Sequence, residues 1–254
     1  MDTKQQPVQI EVCIEEASCA EDIVSAGANR IELCSALDLD GLTPTAQALQ
    51  KTCQAGVPVT AMTRIRGGDF VLDENDVSRM RDEISAHIEA GASGIVIGAL
   101  TRDGAIDTAS MRWLVDSCAG RPVTFHRAFD HCVDRVTGLE QVIDCGCQRL
   151  LTSGGAATAN QGIEEISRIV EAATGRLEVI AGGGVRPGSA FNLVEKTGVR
   201  WLHLSARRKV SGQMQNCPPQ FSVEPTTSLD PGQRWITDPA IIRALREELS
   251  RGVG

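Results

Sequence analysis

Two short stretches hold most of the chemistry legible in this chain. Gln9-Ile10-Glu11-Val12-Cys13-Ile14 and Arg30-Ile31-Glu32-Leu33-Cys34-Ser35 alternate strictly between aliphatic and polar residues. A period of two is the pattern of a β-strand. Ile10, Val12, Ile31 and Leu33 then share one face, and Glu11, Cys13, Arg30, Glu32 and Cys34 the other. Cys13 and Cys34 put two thiols on that face from neighbouring strands. Glu11 and Glu32 are candidate general bases. Buried carboxylates must be paired with cations or shifted in pKa, and Arg64, Arg66 and Arg127 are cations within reach. The competing reading is a structural ion-pair network that fixes strand register.

Further along, Arg64 and Arg66 precede Gly67-Gly68 at a strand end. Paired guanidinium groups beside a sharp turn suit a bidentate clamp on carboxylate or phosphate. Phe125-His126-Arg127-Ala128-Phe129-Asp130 ends another strand, with His126 and Asp130 as a candidate acid/base pair and Arg127 as a further cation. Ser153 and Gly154 close the next strand, and Gly182-Gly183-Gly184 the one after, with Pro187 expected to open a helix. Glycines at a helix N-terminus offer free backbone N–H groups, an anion site that His203 and Ser205 on the following strand would complete.

These residues need a scaffold that gathers strand ends. Between the first two strands, Ser18 to Ala26 reads as a helix, which forces the strands parallel. Helix-ending glycines recur at Gly27, Gly91, Gly146 and Gly198, each followed by a strand, and a second series begins at Val57-Pro58, Arg121-Pro122 and Arg176-Leu177. The pattern predicts strands near 8–14, 29–35, 58–64, 94–100, 122–129, 148–153, 177–182 and 200–206. Helices fall between them, with Thr43-Pro44 expected to open one, Asp73 another, and Asp238-Pro239 the last. The expected fold is a single (β/α)8 TIM barrel over residues 1–254, with an open doubly wound sheet as runner-up. Residues 208–237 form an oversized connection at the active-site end, read either as a lid or as an insertion without function.

Composition narrows the function. A net charge of −8 and the absence of Tyr argue against nucleic acid as a partner. No apolar run is long enough for a membrane span and the first residues lack a signal-peptide core, so a cytoplasmic protein is expected. Nine scattered Cys do not read as a disulfide framework, and Cys145 and Cys147 read as small buried residues at a turn. The sequence leaves homo-oligomer formation open.

The chain resembles the copper homeostasis protein CutC family. The resemblance is carried by Glu11-Val12-Cys13, Arg30-Ile31-Glu32-Leu33-Cys34, Gly41-Leu42-Thr43-Pro44, Arg66-Gly67-Gly68-Asp69-Phe70, Thr124-Phe125-His126-Arg127-Ala128-Phe129-Asp130, Leu151-Thr152-Ser153-Gly154 and His203 with Ser205-Ala206-Arg207. It runs from about residue 8 to the end of the eighth strand, and departs at Gln213-Met214-Gln215-Asn216-Cys217-Pro218-Pro219, where the family tends to carry basic and aromatic residues. The resemblance implies a barrel, a cytosolic location, and a copper ion as partner, bound as Cu(I) by Cys13 and Cys34. The residues also fit a second reading. A double Arg, an acid pair and a glycine-built anion site suit a lyase- or isomerase-type enzyme for a small anionic or phosphorylated metabolite.

Overall fold

Every second strand is launched by a residue that tolerates left-handed backbone. Gly27, Gly91, Gly146 and Gly198 follow helix ends with φ of +112°, +100°, +87° and +73°. A Cβ is strained in that region, so glycine ends the helix there and turns the chain into the next strand. The computed structural model describes residues 7–213 and 232–251. Strands and helices alternate as β1 (Gln9–Ile14), α1 (Ala20–Ser25), β2 (Arg30–Leu33), α2 (Ala46–Thr52), β3 (Val59–Met62), α3 (Glu74–Glu89), β4 (Gly94–Ile97) and α4 (Thr108–Ser117). They continue as β5 (Val123–Phe125), α5 (Arg135–Asp144), β6 (Arg149–Thr152), α6 (Ile163–Ala173), β7 (Glu178–Gly182), α7 (Ala190–Thr197) and β8 (Trp201–Leu204). The eight parallel strands close in sequence order, β8 pairing with β1, to form a (β/α)8 barrel. All eight expected strands are present, each shorter than the sequence pattern by a few residues at its ends.

The two faces of the strands divide the core. Ile10, Val12, Ile31, Leu33, Phe125 and Leu202 are completely buried between sheet and helices. At about 1.5–3 kcal/mol for each large aliphatic or aromatic side chain, that layer is the main source of stability. The barrel interior holds instead a small apolar cluster of Cys13, Cys34, Met62 and Val96 beside buried Glu11, Arg30, Glu32, His126 and His203. Register explains the polar row. Glu11 on β1 lies opposite Arg30 on β2 and His203 on β8, and Cys13 lies opposite Glu32.

Two helix starts differ from expectation. The second helix is capped by Thr45, whose side chain accepts from the Ala48 N–H, rather than by Thr43. Thr43 is occupied elsewhere, its hydroxyl accepting from the Arg64 N–H at 3.0 Å. Pro187 does not open α7, which begins at Ala190. The third helix begins as expected after Asp73, through a reciprocal capping box with Asp76.

The connection after β8 is not irregular throughout. Arg207–Ser211 (β9) and Gln233–Thr237 (β10) pair antiparallel as a ribbon leading into α8 (Pro239–Arg251). The lid reading concerned residues 208–237, of which 214–231, including the divergent stretch from Met214 to Pro219, lie outside the described residues.

Candidate metal centre and cavity at the barrel mouth

Strand register fixes a chain of charges across the barrel floor. One Glu11 oxygen takes the Arg30 Nε–H, and the other is 2.8 Å from His203 Nδ1. Burial alone would raise the Glu11 pKa, but Arg30 and His203 outweigh it and hold the carboxyl down at about 2. An ionised carboxylate only accepts, so His203 Nδ1 carries the proton and donates. That leaves His203 Nε2 facing Glu32 Oε2 at 3.6 Å. Burial disfavours charge on His203, yet Cys13, Glu32 and Glu11 around it raise its pKa well above the ordinary value. Beneath this row, Arg30 stacks on Trp201 at 3.7 Å and bonds Glu178 at 3.4 Å, while Arg149 meets Glu178 at 3.3 Å. These side chains fill the N-terminal end of the barrel.

Above the floor, donor atoms of Cys13, Glu32 and His203 lie within 4.8 Å of one another, all three residues buried. A thiol, a carboxylate and an imidazole whose far nitrogen is oriented by a second carboxylate form a chemically reasonable metal-ligand set. Cys34 stands one step outside it. Its thiol donates to Glu32 Oε2 at 3.4 Å and packs under Gly41. Burial, and next the Glu32 charge, push that thiol well above its ordinary pKa, so Cys34 is protonated here. The group of three donors does not include Cys34, and His203 completes it, arriving from β8 in register with Glu11. Glu32 itself is raised, by burial first and with repulsion from Glu11, and its Oε1 has no hydrogen-bond partner.

The group opens into a cavity of about 330 Å³ at the C-terminal ends of the strands. Glu32, Cys13 and His203 line its base, with Arg64, Phe70 and His126 on one wall and Arg127, Gly183, Gly184, Ser205 and Arg207 towards the rim. His126 sits against Gly98 and accepts the Ala128 N–H at Nδ1, 3.2 Å away. Its Nε2 therefore bears the hydrogen. Burial, then the Arg64 charge, hold its pKa at about 3, so the ring is neutral. A Cβ on Gly98 would lie 2.4 Å from His126 Cε1. Gly98→Ala is expected to displace the ring and cost about 1–3 kcal/mol in a denaturant titration, with the imidazole losing its single-tautomer ¹⁵N pattern. An unshifted ring spectrum would show that the wall has slack.

Several expected site residues stand elsewhere. Glu11 is below the cavity with both oxygens engaged, so it is not positioned as a base. Arg66 does not join Arg64 in a clamp. It turns away to Asp76 at 3.2 Å, Asp69 at 3.1 Å and the Val71 carbonyl at 2.6 Å. The reason is that β3 ends at Met62, so strand alternation no longer governs residues 64–66. Arg64 remains on the wall, donating to the Leu39 and Gly68 carbonyls at 2.7 and 2.8 Å. Asp130 is a bolt rather than an acid. Its carboxylate receives Arg127 Nε at 2.8 Å, the Thr152 hydroxyl at 2.5 Å, and the N–H groups of Ser153 and Gly155 at 3.0 Å each. Ser153 and Gly154 belong to that bolt and do not line the cavity, although Ser153 Oγ accepts from Arg127 Nη2 at 3.0 Å.

The glycine wall is also partial. Gly183 and Gly184 line the rim, but Gly182 lies in β7 with no room for a Cβ beside Leu151 and His203. The amides at the start of α7 are not open to an anion: Glu248 of α8 accepts from Gly188 and Phe191 at 2.6 and 2.9 Å. Residues the sequence reading passed over include Arg30 as the partner of Glu11, Gly98 as the seat of His126, and Arg186 on the rim. Arg30 was already on the polar face of β2, so its alternation was the available signal. Gly98 and Arg186 gave none.

Comparison with known proteins agrees with the architecture. The CutC family profile matches residues 8–208. A CutC family protein of Pasteurella multocida (strain Pm70) is 39% identical over 245 residues, 96% of this chain and 100% of its own length. One from Vibrio campbellii is 43% identical over 202 residues, 78% of this chain and 82% of that protein. Among solved structures, a CutC protein of Streptococcus agalactiae superposes with a TM-score of 0.75 at 30% identity, covering 78% of this chain and 98% of the other. Phosphoribosylanthranilate isomerase from Thermotoga maritima, at 11% identity and a TM-score of 0.58, shares the fold alone. With the profile spanning β1 through β8, this chain belongs to the CutC family.

Proposed function

We propose that the protein binds one copper ion, as Cu(I), at the base of the barrel cavity, with Cys13 and His203 as principal ligands and Glu32 as the third donor. The observation that carries this reading is the convergence of those donor atoms within 4.8 Å, with Glu11 orienting the imidazole from behind. The Streptococcus agalactiae relative is named for copper homeostasis, which supports copper over other thiophilic ions. Thiolate and imidazole are ligands that Cu(I) accepts, and binding displaces the proton that the raised pKa keeps on His203 Nε2. Anaerobic titration with Cu(I) against a competing chelator tests the reading. The wild type should take up about one equivalent. Cys13→Ser and His203→Gln should each weaken binding roughly 10–100-fold, and Cys34→Ser should retain it. Loss in Cys34→Ser equal to that in Cys13→Ser would restore the two-thiol site, and no uptake by the wild type would end the copper reading.

A second reading draws on the cavity rather than its base. Glu32, raised in pKa, and the neutral N–H of His126 line the same space, an arrangement that suits proton transfer beside a carbonyl. In that reading the protein is an acid–base enzyme of lyase or isomerase type for a small anionic metabolite, with Glu32 as base and His126 as donor to the carbonyl oxygen. Solvent deuterium incorporation into a carbonyl substrate, lost in Glu32→Gln, is its expected signature.

A further inference from the structure

Three residues that line the cavity each hold a buried polar atom without a hydrogen-bond partner among the described residues: His126 Nε2, Arg64 Nε and Glu32 Oε1. Their residues are only 3%, 8% and 2% exposed. Buried polar groups are almost always satisfied, and an orphan costs about 1–3 kcal/mol. Three orphans on one cavity therefore point to something that belongs in it. Their chemistry is complementary in a specific way. His126 Nε2 and Arg64 Nε are donors, fixed as such by the Ala128 N–H on Nδ1 and by the chemistry of guanidinium. Glu32 Oε1 is a carboxyl oxygen left to pair with a hydroxyl.

Charge agrees. Arg64, Arg127, Arg186 and Arg207 line the cavity against Glu32 and Asp40. Arg127 is paired with Asp130, and Arg207 with Asp38 and Glu15. Arg64 spends its other nitrogens on backbone carbonyls, and the Asp40 carboxylate acts on its charge through space. The volume, about 330 Å³, lies at the lower end of the range for small-molecule sites.

We propose that the cavity binds a small hydroxylated oxyanion, its anionic oxygens accepting from His126 Nε2 and Arg64 Nε and a hydroxyl donating to Glu32 Oε1. The inference rests on the second reading only in that a small molecule enters the cavity; it requires neither turnover nor copper. A carboxylate and a phosphate monoester share this chemistry. The hydroxyl requirement separates either from simple salts.

The test uses the full-length, metal-stripped protein with glycerate and glycerol 3-phosphate as probes, and propionate and inorganic phosphate as controls. At least one hydroxylated probe should raise the melting temperature saturably and bind about tenfold or more tightly than its control. The tighter of the two identifies the oxyanion. His126→Phe should weaken that probe about tenfold or more. Because this variant also loses the bond to Ala128, the imidazole ¹⁵N spectrum of the wild type is the second measurement. It should show an Nε2–H tautomer whose Nε2 signal moves on adding the probe. Stabilisation by neither probe, or saturable binding with His126 Nε2 unmoved, overturns the proposal. Binding without turnover leaves it standing.

Discussion

Glu11→Gln should lose roughly 3–5 kcal/mol of folding stability, seen as a lower urea midpoint with an unchanged slope. The substitution is nearly isosteric, so packing is preserved and only charge is removed. Arg30, 2% exposed, would keep its guanidinium buried with only the longer contact to Glu178. His203 would lose the carboxylate that holds its Nδ1–H. The pH dependence has a definite sign. The folded-state pKa of Glu11 lies below its ordinary 4.5, at about 2. Its contribution is therefore present above pH 4.5 and lost as pH falls through that window. His203 has the opposite sense. Its pKa is raised, so its contribution is full below 6.5 and fades as pH rises through the raised value. A Glu11→Gln protein as stable as the wild type, with the same acid limb, would show that the floor network is not what holds these charges.

Asp130→Ala should be comparably damaging, by about 3 kcal/mol or more, because it strips the N–H groups of Ser153 and Gly155, the Thr152 hydroxyl and Arg127 of one shared acceptor. Its carboxylate is 5% exposed, so water cannot readily replace it. Copper stoichiometry in the folded fraction should be unchanged, since Asp130 touches none of Cys13, Glu32 or His203. Thermal melts combined with Cu(I) titration separate the two effects. Full stability with lost ligand binding would make Asp130 a chemical participant after all.

Glu11 and Asp130 mark how far the sequence reached and where it stopped. Alternation placed Glu11, Cys13, Glu32, Cys34, His126 and His203 inside the barrel, because a two-residue period leaves no freedom once one face is known to be apolar. It could not choose which of them would meet. Glu11 and His203 are 192 positions apart, and only the closure of β8 on β1 brings them into one row. Alternation also lapses at a strand's last residue. Arg66 and Asp130 both lie past that point, where loop hydrogen bonds decide direction. The amides of Gly188 and Phe191 at the start of α7 are taken for a similar reason. Glu248, from the last helix, already occupies it, and no local pattern announces a partner so distant.

The stacked Arg30 and Trp201 beneath the floor have a kinetic consequence. They make the barrel a blind well with one entrance, so an ion at the base and an organic anion on the wall share a single path. If both ligands bind as proposed, an ion held at the base can leave only after an anion lying above it. The anion would act as a stopper, and transfer of copper to an external chelator should slow in proportion to the fraction of wells it occupies. A protein built this way would hold or surrender its metal according to the concentration of a metabolite that shares only Glu32 with it and touches neither Cys13 nor His203.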